Sequence, residues 1–541
     1  MADVRATVSA LRVAAANDDI RRAELAWGAA IAAEWGHFVA LGVFAYEQGG
    51  ASGVGLAGLV RLLPAALIAP VASTIGDRFR RERFLLALTL LAVVALAGSA
   101  LAAAAGSAVL VYAFAAVLGI ASTLVRPTLQ ALLPSLARTP SELIAANAAT
   151  STVESTGTLV GPLVAGVLVA TAGVETTFAA CAGAVATGAL LVARVRSHGG
   201  IAVRGASAGG ALDDLAAGFR TVARPGTRVV TSLMVAQSFV RGCLNVLIVV
   251  EAFRVLDGGA GEVGYLTAAV GFGGLVGALW AVTLNDRRLA GRFALALVFW
   301  GVPIALLASH PEFAIAFALL AVVGAANSVE DVAGFTLLQR TIPDTVLARA
   351  LGVVWGTAMG AVALGSLAAP HLVDALGPRS AFLLVGAILP VLSLAAYRRL
   401  SSLDRLAPPS DTFDLIEGVP MLAPLSIAAK EQLASRLVPV SIAAGARIVV
   451  KGEQQGDRFF ILAWGALDVD NGGHGVLSAP DSFGEIALLR DVPRTATVTA
   501  VTDARLYSLA RDDFLAAVTA HRVAEAAGEA VVDARLANTS A

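Results

Sequence analysis

The chain has 541 residues, of which 57% are hydrophobic and 15% are charged, and its net charge is −1. Because charged residues make up about a quarter of an ordinary soluble domain, this composition argues against a wholly soluble protein and indicates a membrane protein with a soluble part. The balanced charge argues against a nucleic-acid partner, which needs a basic surface. Cys181 and Cys243 lie in apolar runs, so we interpret them as small hydrophobic side chains rather than a disulfide or metal site.

The first segment, residues 1–24, is too polar to lie in a membrane. Its last residues include two aspartates and two arginines, and no small-residue cleavage site follows a short apolar stretch. Because a cleavable signal peptide needs such a stretch and such a site, we expect a cytoplasmic lead-in helix here.

Twelve apolar runs of membrane-spanning length follow, where roughly 20 residues are needed to cross a bilayer. They lie at about 25–46, 52–74, 84–105, 108–133, 143–171, 174–194, 228–252, 262–284, 293–308, 313–338, 348–374 and 380–397. An even number of spans places both termini on one side. Arginine-rich loops follow spans 2, 6 and 8, whereas the opposite loops carry almost no charge. The positive-inside rule therefore predicts a multi-pass inner-membrane protein with cytoplasmic termini.

The two halves of this region repeat. The segments "GDRFRRERF" (76–84) and "NDRRLAGRF" (285–293) share an aspartate, two arginines and a phenylalanine at an offset of 209 residues. Six spans, a long basic loop and six similar spans form the 6+6 arrangement of many secondary transporters.

The loop after span 2 carries the first family resemblance. Asp77, Arg78 and Arg81 match a signature of the major facilitator superfamily, G-x-x-x-D-R-x-G-R-R, although neither glycine nor the last arginine is present. In the family this loop latches the two halves in one access state, so the resemblance implies a conformational role for these three residues. The segment "GTLVGPLVAG" (157–166) is similar to an element associated with exporters and antiporters, which implies export; the alternative is ordinary close packing of helices through its small residues.

Seven ionisable residues inside the predicted spans are candidates for a transport path. They are Glu34, Arg61, Arg126, Glu154, Arg241, Glu330 and Asp331. Because charges in a membrane are costly, they usually pair with one another or line a water-filled path. In the resembling family, helices 1, 4, 7 and 10 line the central cavity, and five of the seven residues fall on those helices. The resemblance therefore implies a polar transport path.

The predicted depths suggest different roles for these groups. Glu34 lies near the middle of span 1, where a carboxylate either carries a proton or pairs with an arginine. Arg241 in span 7 either faces an anionic group or holds Glu34, and Arg61 is interpreted as a packing feature of span 2.

The other four groups fall toward the cytoplasmic half of the membrane. Arg126 and Glu154 are expected to pair across spans 4 and 5. Of Glu330 and Asp331 in span 10, one is a candidate coupling acid, and the other is expected to extend toward the interface. The substrate cannot be read from these residues, since an apolar interior with a few charges suits amphipathic compounds and many others.

The composition changes beyond residue 399. Residues 400–410 are polar and contain prolines, as in a linker. A stretch with helical periodicity follows, then short apolar runs separated by glycine and aspartate, then two further helical stretches. This order predicts a β-roll flanked by helices.

The segment "FGEIALLRDVPRTATV" (483–498) carries the second resemblance. It is similar to the phosphate-binding cassette of cyclic-nucleotide-binding domains, and "GEQQGDRFFILAWGALDVD" (452–470) is similar to the run that precedes that cassette. The resemblance implies a site formed by residues of this cassette, namely Gly484, Glu485, Ile486, Ala487, Leu488, Arg494, Thr495 and Ala496.

The chemistry of these residue types suits a cyclic phosphate. Arg494 supplies a guanidinium for the anion, and a helix that opens at Gly484 and Glu485 points backbone amides at the same oxygens. Glu485 can accept a hydrogen bond from the ribose 2′-hydroxyl. The resemblance implies backbone contacts from Ala487 and Leu488 and a hydroxyl contact from Thr495, without deciding between adenine and guanine. The last helix, at about 523–536, is expected to cover the base, for which it offers Val531, Val532 and Leu536 but no aromatic side chain.

These observations predict an all-α membrane domain of 12 transmembrane helices with a 6+6 pseudo-repeat, followed by a soluble cyclic-nucleotide-binding β-roll flanked by helices. The predicted segments are 1–24 (lead-in), 25–194 and 228–399 (two six-helix halves), 195–227 (cytoplasmic loop), 400–410 (linker) and 411–541 (nucleotide-binding domain).

The predicted function is secondary transport of a small molecule, with export and proton coupling as expectations. The predicted regulatory ligand is cyclic AMP or cyclic GMP, the expected partners are substrate, nucleotide and membrane lipid, and we expect no cofactor, metal or nucleic acid. The alternatives are a non-transporting receptor for the nucleotide and a transporter whose tail no longer binds. An enzyme is disfavoured because the sequence shows no nucleophile–base constellation, and a channel because it shows no filter-like loop.

Overall fold

The computed structural model describes residues 16–76, 80–137, 140–195, 211–281, 289–309, 311–342, 344–405, 410–425, 430, 433–434, 436–453, 457–470, 474–519 and 522–537. The chain forms two compact units, and the main division between them falls after Ser401. Among the described residues, nine helices are long and apolar enough to cross a membrane, and all nine lie in the first unit.

In the part of the chain that the structure describes, the first unit is helical. Their bounds are α1 Asp18–Gly76, α2 Arg81–Ala104, α3 Ala108–Leu136, α4 Pro140–Val192, α5 Ala211–Val222, α6 Pro225–Val250, α7 Ala260–Ala281, α8 Leu289–Leu307, α9 Phe313–Thr341 and α10 Asp344–Arg405. A π-helical turn, Glu251–Val255, continues α6. In the nine long helices, continuous runs of alanine, leucine and valine leave no continuous polar face, as expected for helices surrounded by lipid and one another.

Three of these helices, with 59, 53 and 62 residues, are long enough to cross a membrane twice and are broken at glycine. The breaks lie at Gly49–Gly50 in α1, Gly173 in α4 and Gly377 in α10. Each falls between two predicted spans, so a backbone kink at a positive-φ glycine replaces the loop expected there. The number of membrane crossings, twelve, stays a prediction.

The two halves of this unit meet where α4 crosses α7. A Cβ placed on Gly264 of α7 would lie 2.4 Å from the Cα of Gly166 and 2.7 Å from the carbonyl oxygen of Pro162. The backbones of two helices come this close only where glycine stands at the crossing. Part of the segment interpreted as an export element is therefore a helix-packing surface in this structure.

Among its described residues, the second unit begins with a short helix, α11 (Ser410–Glu417), and continues with two four-stranded antiparallel sheets. The strands are β1 Val438–Ile442, β2 Arg447–Val449, β3 Arg458–Trp464, β4 Ala466–Asp470, β5 His474–Ser478, β6 Ser482–Phe483, β7 Thr497–Ala500 and β8 Ala504–Ala510. One sheet has the order β1-β8-β3-β6, and the other has the order β2-β7-β4-β5. Three helices complete the unit, α12 Glu485–Arg490, α13 Arg511–Thr519 and α14 Arg522–Ala537.

Strand β3 explains how this unit is held together. Its side chains alternate between two cores, because successive residues of a strand face opposite sides. Phe459 and Ile461 pack in the core that includes Phe514 of α13, whereas Phe460 and Leu462 pack in the core between the two sheets. Both faces are buried, which accounts for the continuous apolar run "FFIL" in the sequence.

The predicted linker is partly helical. Helix α10 continues to Arg405, because the sequence contains no glycine or proline between Tyr397 and Pro408 to end it. Residues 406–409 lie outside the described part of the chain, as do most of residues 426–435.

Candidate nucleotide-binding site and membrane charges

Gly484 shapes the start of the cassette. It lies between β6 and α12 with φ +98°, and a Cβ at this position would lie 2.7 Å from Nη1 of Arg494 and 3.0 Å from the carbonyl oxygen of Arg458. Residues with a side chain rarely adopt this φ, and the neighbouring atoms leave no space for a Cβ, so this position requires glycine. Because Gly484 has no side chain, the guanidinium of Arg494 can lie against the backbone at this position.

Arg494 is buried beneath this turn, with 6% of its surface exposed. Its Nη1 donates to the carbonyl oxygen of Gly484 (3.3 Å), and Nη2 donates to that of Arg458 (2.8 Å). Nε is buried without a partner among the described residues. Burial lowers the pKa of Arg494 from its usual value, although Glu453, Glu485 and Asp457 act in the opposite direction. A fixed, buried guanidinium with a free donor is suited to binding an anion.

The backbone of Arg494 is also fixed. Its amide donates to the carbonyl oxygen of Glu453 (3.0 Å), and its carbonyl oxygen accepts from the amide of Gly452 (2.9 Å). These two bonds join the cassette to the first residues of the preceding motif. Gly452 and Arg494 are 42 residues apart in the sequence, so the two motifs are parts of one site.

Glu485 is the buried acid of the site, with 1% of its surface exposed. Its Oε1 accepts a hydrogen bond from Nη1 of Arg535 at 2.7 Å. Oε2 is buried and has no partner among the described residues. Because a buried polar atom is seldom left unsatisfied, Oε2 is a free acceptor in a position to receive a ligand hydroxyl.

Sequence reasoning missed Arg535. It lies on α14, 50 residues after Glu485, and no local pattern marks it as a site residue. A second ion pair, Arg490 with Asp533 at 3.0 Å, joins α12 to α14 on the surface. The terminal helix is therefore tied directly to the group expected to bind the ribose.

The other predicted cassette residues support this geometry. Ala487 and Leu488 are buried, and Ile486 lies between Glu485 and Ala487 in α12. Thr495 and Ala496 connect Arg494 to β7, and their ligand contacts stay predictions. Of the helix side chains expected over the base, Val532 is fully buried and Val531 packs against the core, so neither is free to cover a ligand in this structure. The side chain of Leu536 lies outside the described residues.

In the membrane unit, Glu34 is paired with Arg61. Oε1 of Glu34 lies 2.9 Å from Nη2 of Arg61, which is 7% exposed and lies 5.6 Å from the centre of the Phe38 ring. The interpretation of Arg61 as a packing feature was therefore incomplete, and the partner suggested for Glu34, Arg241, is not its partner here. Sequence depth alone could not distinguish the two arginines.

The ion pair predicted between Arg126 and Glu154 is present, at 3.1 Å. Its role in transport stays a prediction. Glu154 is within electrostatic range of Glu34, and Asp331 is within electrostatic range of both Arg126 and Arg241.

A polar network on α6, α8 and α9 surrounds Asp331. Oδ1 of Asn327 accepts from Nε2 of Gln237 (3.1 Å) and from Nε1 of Trp300 (3.3 Å), and its Nδ2 donates to Asp331 (2.9 Å). Glu330 is 1% exposed, and neither of its carboxylate oxygens has a partner among the described residues. The amides that organise this cluster, Gln237 and Asn327, are neutral, so the pattern of charged residues in the sequence does not reveal them.

Two further buried groups were missed. His37 lies one turn after Glu34, is fully buried and packs against Phe178 in a tilted arrangement with ring centres 5.0 Å apart. Glu251 is fully buried at the start of the π-helical turn. Within the described ranges, none of the polar atoms of these two side chains has a hydrogen-bond partner.

Of the predicted conformational loop, Asp77 and Arg78 lie outside the described residues. Arg81 begins α2 and donates from Nη1 to the carbonyl oxygen of Ala131 at 2.6 Å, which fixes the start of α2 against α3.

In the part of the chain that the structure describes, no group of three or more His, Cys, Asp or Glu residues is arranged to hold a metal ion.

Comparisons with known proteins agree with this division. A family model described as "Transmembrane secretion effector" matches residues 24–436, and one described as "Cyclic nucleotide-binding domain" matches residues 439–521. The helical unit superposes on the nucleoside transporter NupG with a TM-score of 0.61 at 10% identity, covering 71% of this chain and 99% of that one. This likeness indicates the fold alone.

Two curated relatives match the second unit. A cAMP-dependent protein kinase regulatory subunit from Eremothecium gossypii is 36% identical over 104 residues, covering 19% of this chain and 22% of that protein. A cyclic nucleotide-gated potassium channel from Rhizobium etli is 40% identical over 103 residues, covering 19% and 29%. The chain therefore spans less than a third of either relative.

The family matches confirm the predicted fold class, a helical transporter unit followed by a nucleotide-binding β-roll. The family model and the nine apolar helices among the described residues also establish a multi-pass membrane protein. The chain belongs to the transmembrane secretion effector family of the major facilitator superfamily, and it carries a cyclic nucleotide-binding domain after the transporter fold.

Proposed function

We propose that this protein is a secondary active exporter of a small molecule whose transport is regulated by cyclic AMP or cyclic GMP. Export is supported by the description of its family as a secretion effector. The transporter lies in the inner membrane with both termini in the cytoplasm, where the nucleotide is available. Residues 411–541 form the sensing domain, and residues 25–399 form the transporter.

The observation that carries the regulatory part is the pair of buried, opposed charges in the cassette. Arg494 and Glu485 are held by protein contacts, yet each keeps one buried polar atom without a partner among the described residues. A cyclic nucleotide offers a singly charged phosphate for the guanidinium and a ribose hydroxyl for the carboxylate. A degenerate domain would not need to keep both groups buried and fixed.

Regulation follows from the contact between Glu485 and the terminal helix. A ribose that binds at Oε2 changes the environment of the carboxylate to which Arg535 is bound. Helix α14 is therefore stabilised or displaced by ligand, and the domain has two arrangements. The nucleotide shifts the ratio of transporter access states only if it binds those states unequally.

The proposal is tested with the full-length protein in lipid nanodiscs. We expect calorimetry to detect binding of cyclic AMP or cyclic GMP by the unmodified chain and no binding by Arg494→Ala, because the anion loses its only buried guanidinium in the described cassette. Arg436→Ala is the matched control, since Arg436 is an exposed arginine of the same unit that pairs with Asp513.

Undiminished binding by Arg494→Ala would contradict the site. Regulated transport is tested separately, by release of candidate compounds from reconstituted vesicles with and without nucleotide. A protein that binds nucleotide but moves none of a broad panel of compounds would favour the receptor alternative.

A further inference from the structure

Three chain turns meet at one end of the β-roll, and we call this end the tip. The tip consists of residues 443–446 after β1, 464–466 at the turn from β3 to β4, and 501–503 between β7 and β8. The amide of Gly445 donates to the carbonyl oxygen of Ala500 (2.7 Å), and the amide of Val501 donates to that of Ala466 (2.9 Å). These backbone bonds hold the three turns side by side.

The side chains of the tip are mainly apolar, and they are exposed. Trp464 is 63% exposed and Val501 is 55% exposed. Residues 443–446, three alanines and a glycine, are exposed as well. Tryptophan is highly buried on average in folded proteins, because its ring carries a large apolar surface. A tryptophan held in the open by a fixed turn is therefore suited to contact an apolar surface outside the domain.

Two arginines flank the tip. Arg447 begins β2 directly after the first turn, and Arg505 is the register partner of Trp464 across β3 and β8. Both are exposed, and neither forms an ion pair with another residue that the structure describes. The guanidinium of Arg505 lies 5.8 Å from the centre of the Tyr507 ring, a contact that uses its face and leaves its N–H groups for an anion.

The acid of the tip does not offset these cations at the surface. Oδ1 of Asp503 accepts a hydrogen bond from the amide of Ala444 at 2.9 Å, which holds this carboxylate against the backbone. The tip therefore combines an apolar end with two exposed arginines beside it. This combination is complementary to a surface that is apolar inside and negatively charged outside.

The size of the apolar end decides between a protein and a bilayer as the partner. A stable protein interface buries about 800 Å² on each side, whereas one tryptophan buries only about 150–250 Å². A bilayer needs no matching surface, and tryptophan is enriched where membranes meet water. Val438, which begins β1, lies 41 residues after residue 397, where the last predicted span ends. Since the domain is attached to a membrane protein, its concentration near the bilayer is high, and a weak contact suffices.

We propose that the tip is a membrane anchor that binds an anionic lipid bilayer. The side chains of Trp464 and Val501 enter the boundary between headgroups and acyl chains, and Arg447 and Arg505 bind lipid phosphates. The cassette ends where β7 begins, whereas the tip follows the last residue of the same strand, Thr497–Ala500. The anchor therefore leaves the nucleotide site uncovered.

The test uses the full-length protein in nanodiscs with a single environment-sensitive fluorophore. Cys181 and Cys243 are buried, so Val501→Cys supplies a reactive thiol, and the unmodified chain treated with the same reagent gives the background. Val438→Cys is the matched control, because Val438 is 51% exposed and lies at the end of β1 far from the tip. The nanodiscs contain phosphatidylcholine alone or an equal mixture with phosphatidylglycerol, each with and without spin-labelled lipid.

We expect the spin-labelled lipid to quench the label at position 501 at least about twofold more than the label at position 438. The reason is that interfacial side chains reach about 5–10 Å into the bilayer, whereas position 438 lies more than about 13 Å along β1 from the tip. Quenching at position 501 should be stronger with phosphatidylglycerol. It should fall at high salt, where the Debye length shortens to about 3 Å.

Substitutions separate the two parts of the anchor, and each is measured with the label at position 501. Trp464→Ser should lower lipid quenching to the level of the control label. The double variant Arg447→Gln with Arg505→Gln should abolish the difference between the two lipid compositions. Arg436→Gln changes an arginine outside the tip and should leave quenching unchanged. All of these side chains are exposed, so the thermal unfolding midpoint should stay the same.

Equal quenching of the two labels, or quenching that Trp464→Ser leaves unchanged, would overturn the proposal. Protection from a water-soluble quencher without quenching by lipid would also overturn it, because a protein surface would then cover the tip. These measurements use neither transport nor cyclic nucleotide. Their outcome is therefore independent of the proposed function.

Discussion

The two units of this protein carry their functional residues in opposite ways. In the nucleotide-binding unit, Gly484, Glu485 and Arg494 lie within eleven consecutive residues and form one site. In the membrane unit, Glu34 is paired 27 residues away with Arg61, and Asp331 acts on Arg126, which lies in the other half of the unit. A cassette is a turn and a short helix, so its parts are close in sequence, whereas a membrane site is assembled from facing helices.

The difference also appears in how each unit uses glycine. Gly484 has a backbone conformation that other residues rarely adopt, whereas Gly264 is an ordinary helical residue whose neighbouring backbone is too close for a side chain. The first is a requirement of local conformation, and the second is a requirement of tertiary packing.

Among the substitutions that compare the two units, the largest expected effect is that of Gly484→Val. The substitution forces a β-branched residue to positive φ and places its Cβ on the Arg494 guanidinium, which costs about 3 kcal/mol or more. We expect nucleotide affinity to fall more than about 100-fold while membrane insertion is kept. Gly475→Val is the control, because Gly475 lies in β5 with open space around it. Equal loss of affinity in both variants would contradict the local explanation.

A smaller effect, confined to the other unit, is expected for Gly264→Leu. The added side chain separates α7 from α4 and destabilises the membrane unit by about 1–3 kcal/mol. Nucleotide affinity should not change, because the cassette is formed within the second unit. The measurements are the thermal unfolding midpoint in nanodiscs and calorimetry, with Gly183→Leu as control, since Gly183 is exposed with no atom within 4 Å of its Cβ position. If Gly264→Leu lowers both the unfolding midpoint and the nucleotide affinity, the two units are not independent.

The smallest effect is expected for Arg535→Ala. Removing this cation leaves Glu485 without the contact that fixes Oε1, so the carboxylate is less well positioned for the ribose. We expect nucleotide affinity to fall roughly tenfold, measured by calorimetry. Arg490→Ala removes the neighbouring surface pair with Asp533 and should change affinity little. If Arg535→Ala binds normally, α14 does not act through Glu485.

Much of the nucleotide site could be predicted from sequence because its motifs are contiguous. What the motifs could not predict was Arg535, since a residue 50 positions away is identified only by folding α14 against α12. The membrane unit shows the same limit more widely. Listing charged residues in spans found Glu34 and Arg61, but their pairing depends on the rotation of two helix segments about their axes.

The sequence by itself determined that this chain has a helical membrane unit and a nucleotide-binding unit, because hydropathy, arginine distribution and the cassette are properties of short stretches. Only the tertiary structure decided which buried charges are paired and which are free. Arg61 holds Glu34, while Glu330 and Oε2 of Glu485 have no partner among the described residues. The physical reason is that a buried charge is stabilised by whatever group the fold brings within about 3 Å, and such distances arise only when separate helices pack.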